Sequence, residues 1–123
     1  MQVRWSEPHR VAVLDPKGDL GIRTMVDMKN TIGSLLRDGC RIVIVDCNGV
    51  QRLEAMSLGV FVERLCRARE LNGTLALANL GADLEARLLE LRVHSLFQIF
   101  ESVPAALRAL VAADADAMAS LAA

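Results

Sequence analysis

Ile42-Val43-Ile44-Val45-Asp46 is the stretch that decides the fold of this 123-residue chain. Four consecutive β-branched residues with no polar alternation suit a strand covered on both faces, the situation at the centre of a largely parallel sheet. Parallel neighbours need crossover connections, and helical periodicity supplies one on each side. Upstream, Ile22, Met25, Met28, Ile32, Leu35 and Leu36 fall at helical spacing, with Arg23, Asp27, Lys29, Asn30 and Arg37 at the other positions. Asp38-Gly39 closes that helix as a left-handed cap. Downstream of the loop from Asp46 to Leu53, a second helix turns Leu58, Phe61, Val62, Leu65 and Ala68 inward and ends at Asn72-Gly73. Leu75 to Ala78 then reads as a strand, Asp83 to Leu91 as a short helix and Leu96 to Phe100 as a last strand. Ser102 caps a final helix that has Pro104 in its first turn and Val103, Leu107, Leu110 and Val111 facing in. At the other end, Val3 to Trp5 and Arg10 to Leu14 flank a Ser-Glu-Pro-His turn as an antiparallel hairpin.

A hairpin followed by alternating helices and strands predicts a single α/β domain. Its sheet is mixed but mostly parallel, with about five strands flanked by about four helices. Residues 1–111 make up the domain. The Ala-rich tail, 112–123, is expected to extend the last helix in part or to fray.

Composition narrows the function. With 53% hydrophobic and 24% charged residues the chain has enough apolar surface to fold, and with 3% aromatics its core must be aliphatic. A net charge of −1, with both signs interspersed, gives no footprint for a phosphate backbone, so nucleic acid is not the expected partner. The apolar runs are too short for membrane insertion, and the start MQVRWSEPHR is too polar for a signal peptide. Cys40, Cys47 and Cys66 are odd in number and form no CxxC pair, which fits reduced, buried thiols in a cytoplasmic protein.

Motifs for catalysis are missing or misplaced. His9 and His94 lie far apart with no ligand at metal spacing, and neither a GxGxxG nor a Walker loop occurs, so no metal and no cofactor is expected. Ala55-Met56-Ser57-Leu58-Gly59 has the outline of a degenerate nucleophile elbow, for which His94 would be the base of a small serine hydrolase. An elbow serine sits at the sharp turn from strand to helix, whereas here a long loop separates Asp46 from Glu54. The plainer reading makes Ser57 a first-turn hydroxyl that helps satisfy free backbone N–H groups.

Taken together, three stretches and the closing segment resemble the STAS family, which includes anti-sigma factor antagonists, stressosome scaffolds and the cytoplasmic tails of anion transporters. Gly18-Asp19-Leu20 is similar to the family's Gly-Glu-Leu after the second strand. The run from Ile42 to Asp46, continued by Cys47-Asn48-Gly49-Val50, is similar to its strand ending Asp-Leu-Ser-x-Val. Glu54-Ala55-Met56-Ser57-Leu58-Gly59 stands where antagonists carry Asp-Ser-Ser-Gly-Leu-Gly, and Phe97 to Ser102 followed by Ala105, Ala106 and Leu107 resembles the family's end. The match covers Val3 to Val111.

The resemblance implies a protein-binding domain with no enzymatic activity, whose partner is an anti-sigma factor kinase or a related regulator. The partner would dock on the loop before the second helix and on the start of that helix, a surface to which Gly21, Arg52, Glu54, Ala55, Met56 and Ser57 belong. In the family this surface is switched by phosphorylation of the first motif serine, a position held here by Ala55. The acidic residue that ends the family's Gly-Glu-Leu-Asp stretch is replaced by Gly21. Ser57 is the substitute acceptor that remains, although at about 100° per residue it points nearly opposite residue 55. A second reading is a STAS subunit of a membrane transport or signalling assembly. Self-association through the hairpin edge, where Val3 and Trp5 share a face, would give a homodimer.

Overall fold

Residues 42–46 do form the middle strand of the sheet in the computed structural model, which describes residues 1–18, 20–50 and 54–111. The hairpin consists of β1 (Gln2–Ser6) and β2 (Val11–Asp15). There follow α1 (Ile22–Arg37), β3 (Ile42–Asp46), α2 (Ala55–Glu70), β4 (Thr74–Ala78), α3 (Ala82–Glu90), a 3₁₀ turn (His94–Leu96) and β5 (Gln98–Phe100). A last helix, α4, is described over 103–111. The spatial order is β1-β2-β3-β4-β5, with β1 antiparallel to β2 and every other pair parallel. The tail from residue 112 onward lies outside the described residues.

Side-chain alternation explains why the central strand carries no polar residue before Asp46. Val43 and Val45 join Ala12, Leu14, Leu75 and Leu77 on one face, packed against Met25, Met28, Ile32, Phe61, Leu65, Leu84 and Leu88 of the three crossover helices. Ile42 and Ile44 join Val11 and Val13 on the other face, under Val103 and Ala106 of α4. Each large aliphatic so buried contributes about 1.5–3 kcal/mol. Ala76 and Ala78 lie on the α4 face of β4, where small side chains let Ala106 and its helix come close.

Several boundaries differ from the sequence reading. The hairpin turn is Glu7 to Arg10, closed by the Arg10 amide on the Glu7 carbonyl at 3.1 Å, so β2 starts at Val11. Arg10 takes a left-handed φ of 55°, which removes it from the strand. The final strand is shorter than Leu96 to Phe100, because Leu96 belongs to the 3₁₀ turn. Gly39 (φ 102°) does provide the left-handed residue after α1, whereas after α2 this conformation falls to Asn72 (φ 63°), not to the adjacent glycine. Ser102 caps α4 by accepting a hydrogen bond from the Ala105 amide at 3.2 Å.

Candidate functional site

At the carboxyl ends of β2 and β3 two loops meet and fix the starts of α1 and α2. Gly18 (φ 78°) and Gly49 (φ 82°) lie against each other so closely that a Cβ on Gly18 would be 3.1 Å from the Gly49 carbonyl oxygen. Both positions take a left-handed backbone that favours glycine, and at Gly18 the close approach adds a second reason. Beside them the Lys17 amide donates to Asp15 Oδ1 at 2.8 Å, and the Lys17 ammonium stands 3.2 Å from Oδ2. Partial burial pushes the Asp15 carboxyl up, but the Lys17 hydrogen bonds and charge outweigh it and hold the group below the usual carboxylate range. Asp46 terminates β3 by accepting from the Asn48 amide (3.0 Å) and from Asn79 Nδ2 (2.9 Å), which ties the loop to the end of β4.

Ser57 joins the two helix starts. It is 3% exposed, and its Oγ donates to the Leu20 carbonyl at 3.2 Å, across 37 positions of sequence. This corrects the first-turn capping role, since the hydroxyl donates to a carbonyl of the β2–α1 loop and the start of α2 has no side-chain cap bond at its N-cap. Nor does it meet His94, whose Nε2 faces Glu85 Oε1 at 3.5 Å at the amino end of β5, so the two residues the hydrolase reading requires are not brought together. Glu54 is the N-cap residue of α2 and Gly21 that of α1, both with extended backbone and no side-chain cap bond. Ala55 and Met56 are exposed beside Glu54. Arg52, with Gln51 and Leu53, lies outside the described residues. Among the described residues, no group of three or more His, Cys, Asp or Glu could hold a metal ion.

What the geometry adds is an apolar surface that sequence periodicity did not isolate. Ile22 is 66% exposed, Val26 52% and Met56 61%. Ile22 and Val26 open the stripe of α1 that continues through Lys29 and Gly33 toward α2, and Met56 opens the matching stripe of α2 through Val60 and Glu63. The two helices pack side by side. Arg64 lies across Gly33, with a guanidinium nitrogen 3.1 Å from where a Cβ would stand. The Glu63 carboxyl is held below its usual range chiefly by its hydrogen bond from Arg64, with Lys29 of α1 adding to the effect. Paired charges thus lie at Glu63 and Arg64, while the starts of the two helices expose Ile22, Val26 and Met56. A single signal for this surface exists in the sequence: Ile22 and Val26 stand one turn apart on the otherwise polar side of α1, among Arg23, Asp27, Lys29 and Asn30.

The cysteines divide differently from the expectation of three buried thiols. Burial, with the Asp46 charge adding, pushes the Cys47 thiol up to about 12, and burial pushes Cys40 up to about 11, whereas Cys66 is exposed. Only Cys66 should be labelled quickly by a thiol-selective reagent in the native protein at pH 8, and all three after denaturation. Rapid native labelling at two or three sites would contradict this packing.

A family model for the STAS domain matches residues 2–106. The fold is similar to the crystal structure of a suggested anti-sigma factor antagonist from Thermotoga maritima (TM-score 0.73, 17% identity, 89% of this chain and 92% of that one). A solution structure of that Thermotoga protein gives a TM-score of 0.76 at 20% identity, covering 89% and 86% of the two chains. An anti-sigma factor antagonist (STAS) domain protein from Planctomyces limnophilus gives 0.74 at 18% identity, covering 87% and 96%. No curated protein matches in sequence. None of the described helices is long and apolar enough to cross a membrane. With its family match running from β1 into the final helix, and with the fold repeated in these structures, the chain belongs to the STAS domain family.

Proposed function

We propose that this domain is a non-catalytic, cytoplasmic protein-binding module of the anti-sigma factor antagonist kind, which docks a kinase-type anti-sigma factor or a related regulator on the carboxyl-end surface. The observation that supports this most is the exposed apolar set Ile22, Val26 and Met56 beside the two interlocked loops. Open α/β sheets place their sites at this end of the strands, and solvent-exposed apolar side chains grouped around a rigid loop are suited to protein contact. Met56 adds an adaptable thioether side chain. Glu54 stands at the positive end of the α2 dipole, where it also offers a carboxylate to a partner. Capture with the full chain as bait from its native cell, followed by mass spectrometry, should recover a kinase-type anti-sigma factor. Recovery of transporter subunits in its place would move the domain to a membrane assembly.

The same surface lacks the usual covalent switch. Ala55 offers only a methyl group at the position that phosphorylatable members fill with serine. Ser57 is buried, with its proton committed to the Leu20 carbonyl, so a kinase could reach it only by prising α2 from the β2–α1 loop. Incubation with the captured kinase and ATP should leave the intact mass unchanged, while Ala55→Ser should recover at most weak modification because Gly21 supplies no carboxylate. Stoichiometric phosphate on Ser57, with loss of binding, would overturn this.

A further inference from the structure

We propose that β1 is a self-association edge, through which two copies of this chain pair their sheets antiparallel about a two-fold axis at Val3. Among the described residues the strand is the outer edge of the sheet and pairs only with β2. At the opposite edge β5 is three residues long, whereas β1 has five, contains no proline and keeps an unbroken register from Gln2↔Asp15 to Ser6↔Val11, so it carries no bulge. Of the devices that usually blunt an exposed edge, β1 lacks shortness, proline and a bulge, and has one, the charged side chain of Arg4. Val3 and Trp5 alternate along one face of β1, Met1 precedes the strand, and all three are among the exposed large apolar residues of the described chain, at 40%, 37% and 43%. Val3 and Trp5 stand opposite Leu14 and Ala12, hence on the face of the crossover helices, and Arg4 stands opposite Val13 on the other.

The side chains select both the occupant and the register. In a two-fold antiparallel pair, opposing residues share a face, so odd positions of β1 oppose odd and even oppose even. With Arg4 at the axis, two guanidinium groups would lie directly opposite each other, an unfavourable pair. With Val3 at the axis, Met1 opposes Trp5 of the second copy, Val3 opposes Val3, and Gln2 opposes Arg4, whose guanidinium can donate to the amide oxygen. This register pairs apolar with apolar on one face and acceptor with cation on the other, and it covers all three exposed side chains. A second copy of this chain thus matches the edge without any change of sequence.

Sedimentation of the full chain without an N-terminal tag, run over a concentration series, tests this directly. The expected mass at high concentration is twice the 13.4 kDa chain, and emission from Trp5, the single tryptophan, should shift to longer wavelength as dilution separates the copies. Gln2→Arg places like charges opposite Arg4 in both halves and should weaken association about tenfold or more, and Gln2→Arg with Arg4→Glu should restore it. Val3→Lys should abolish it, with far-UV circular dichroism unchanged. A monomeric mass at every concentration would overturn the proposal. So would undiminished association of Gln2→Arg, the result expected if Arg4 lay at the axis and residue 2 met Ser6.

Discussion

Gly73→Ala should lower the thermal midpoint by about 10 °C, although it adds a single methyl group. A Cβ at this position would lie 2.4 Å from the Arg41 carbonyl oxygen and 3.1 Å from its carbon and Cα, all backbone atoms that cannot rotate aside. That carbonyl is already fixed by the Thr74 amide at 2.8 Å, the bond that starts the β3–β4 ladder, and the Gly73 amide is held by the Ala68 carbonyl at 2.7 Å. Relief requires α2 and β4 to shift relative to β3. Overpacking of this kind costs about 3 kcal/mol, and in a domain of this size each kcal/mol moves the midpoint by roughly 3–5 °C. Gly59→Ala makes the opposite prediction. Gly59 sits in α2 with nothing within 4 Å of its Cβ position, so alanine should stabilise by about 0.5–1 kcal/mol through helix propensity and a less entropic unfolded chain. Equal midpoints for the two variants in a thermal scan would contradict the close packing at Arg41.

Gly73 also illustrates which features were legible before any coordinates. Asn72-Gly73 signalled a helix end, and the helix does end there, but the signal could not separate the two roles: asparagine supplies the left-handed turn, glycine the missing volume. The run from Ile42 to Val45 gave the sheet because burial on both faces is recorded in every residue of a strand. Leu96 was assigned to a strand because a short apolar run carries no period of its own. Ile22 was grouped with the inward stripe of α1, since a residue three positions before Met25 falls near it on a helical wheel. Its exposure depends on where α2 lies, which is a tertiary fact. Ser57 was harder still: its partner is a carbonyl 37 positions away, and no local rule reaches that far. Ala55, Met56 and Glu54 are singled out by resemblance and are exposed at the start of α2, whereas Ser57 of the same set is buried.

The other large effect is expected at that surface. Ile22→Glu and Met56→Glu should each weaken partner binding by about 100-fold or more, because a carboxylate would have to be desolvated without a counter-charge where the wild-type chain buries aliphatic or thioether surface. Neither change should harm the fold. Both side chains are more than half exposed, and both lie in the first turn of a helix, where the macrodipole favours a carboxylate, so midpoints within a few degrees of wild type are expected. Leu89→Glu, at the far end of α3, provides the matched control for an added charge on an apolar surface residue. The decisive measurement is a calorimetric titration of the captured regulator with the wild-type chain, Met56→Glu and Leu89→Glu. Docking on the carboxyl-end surface predicts a Kd at least about 100-fold higher for Met56→Glu and unchanged for Leu89→Glu, whereas wild-type affinity in Met56→Glu and Ile22→Glu alike would contradict it.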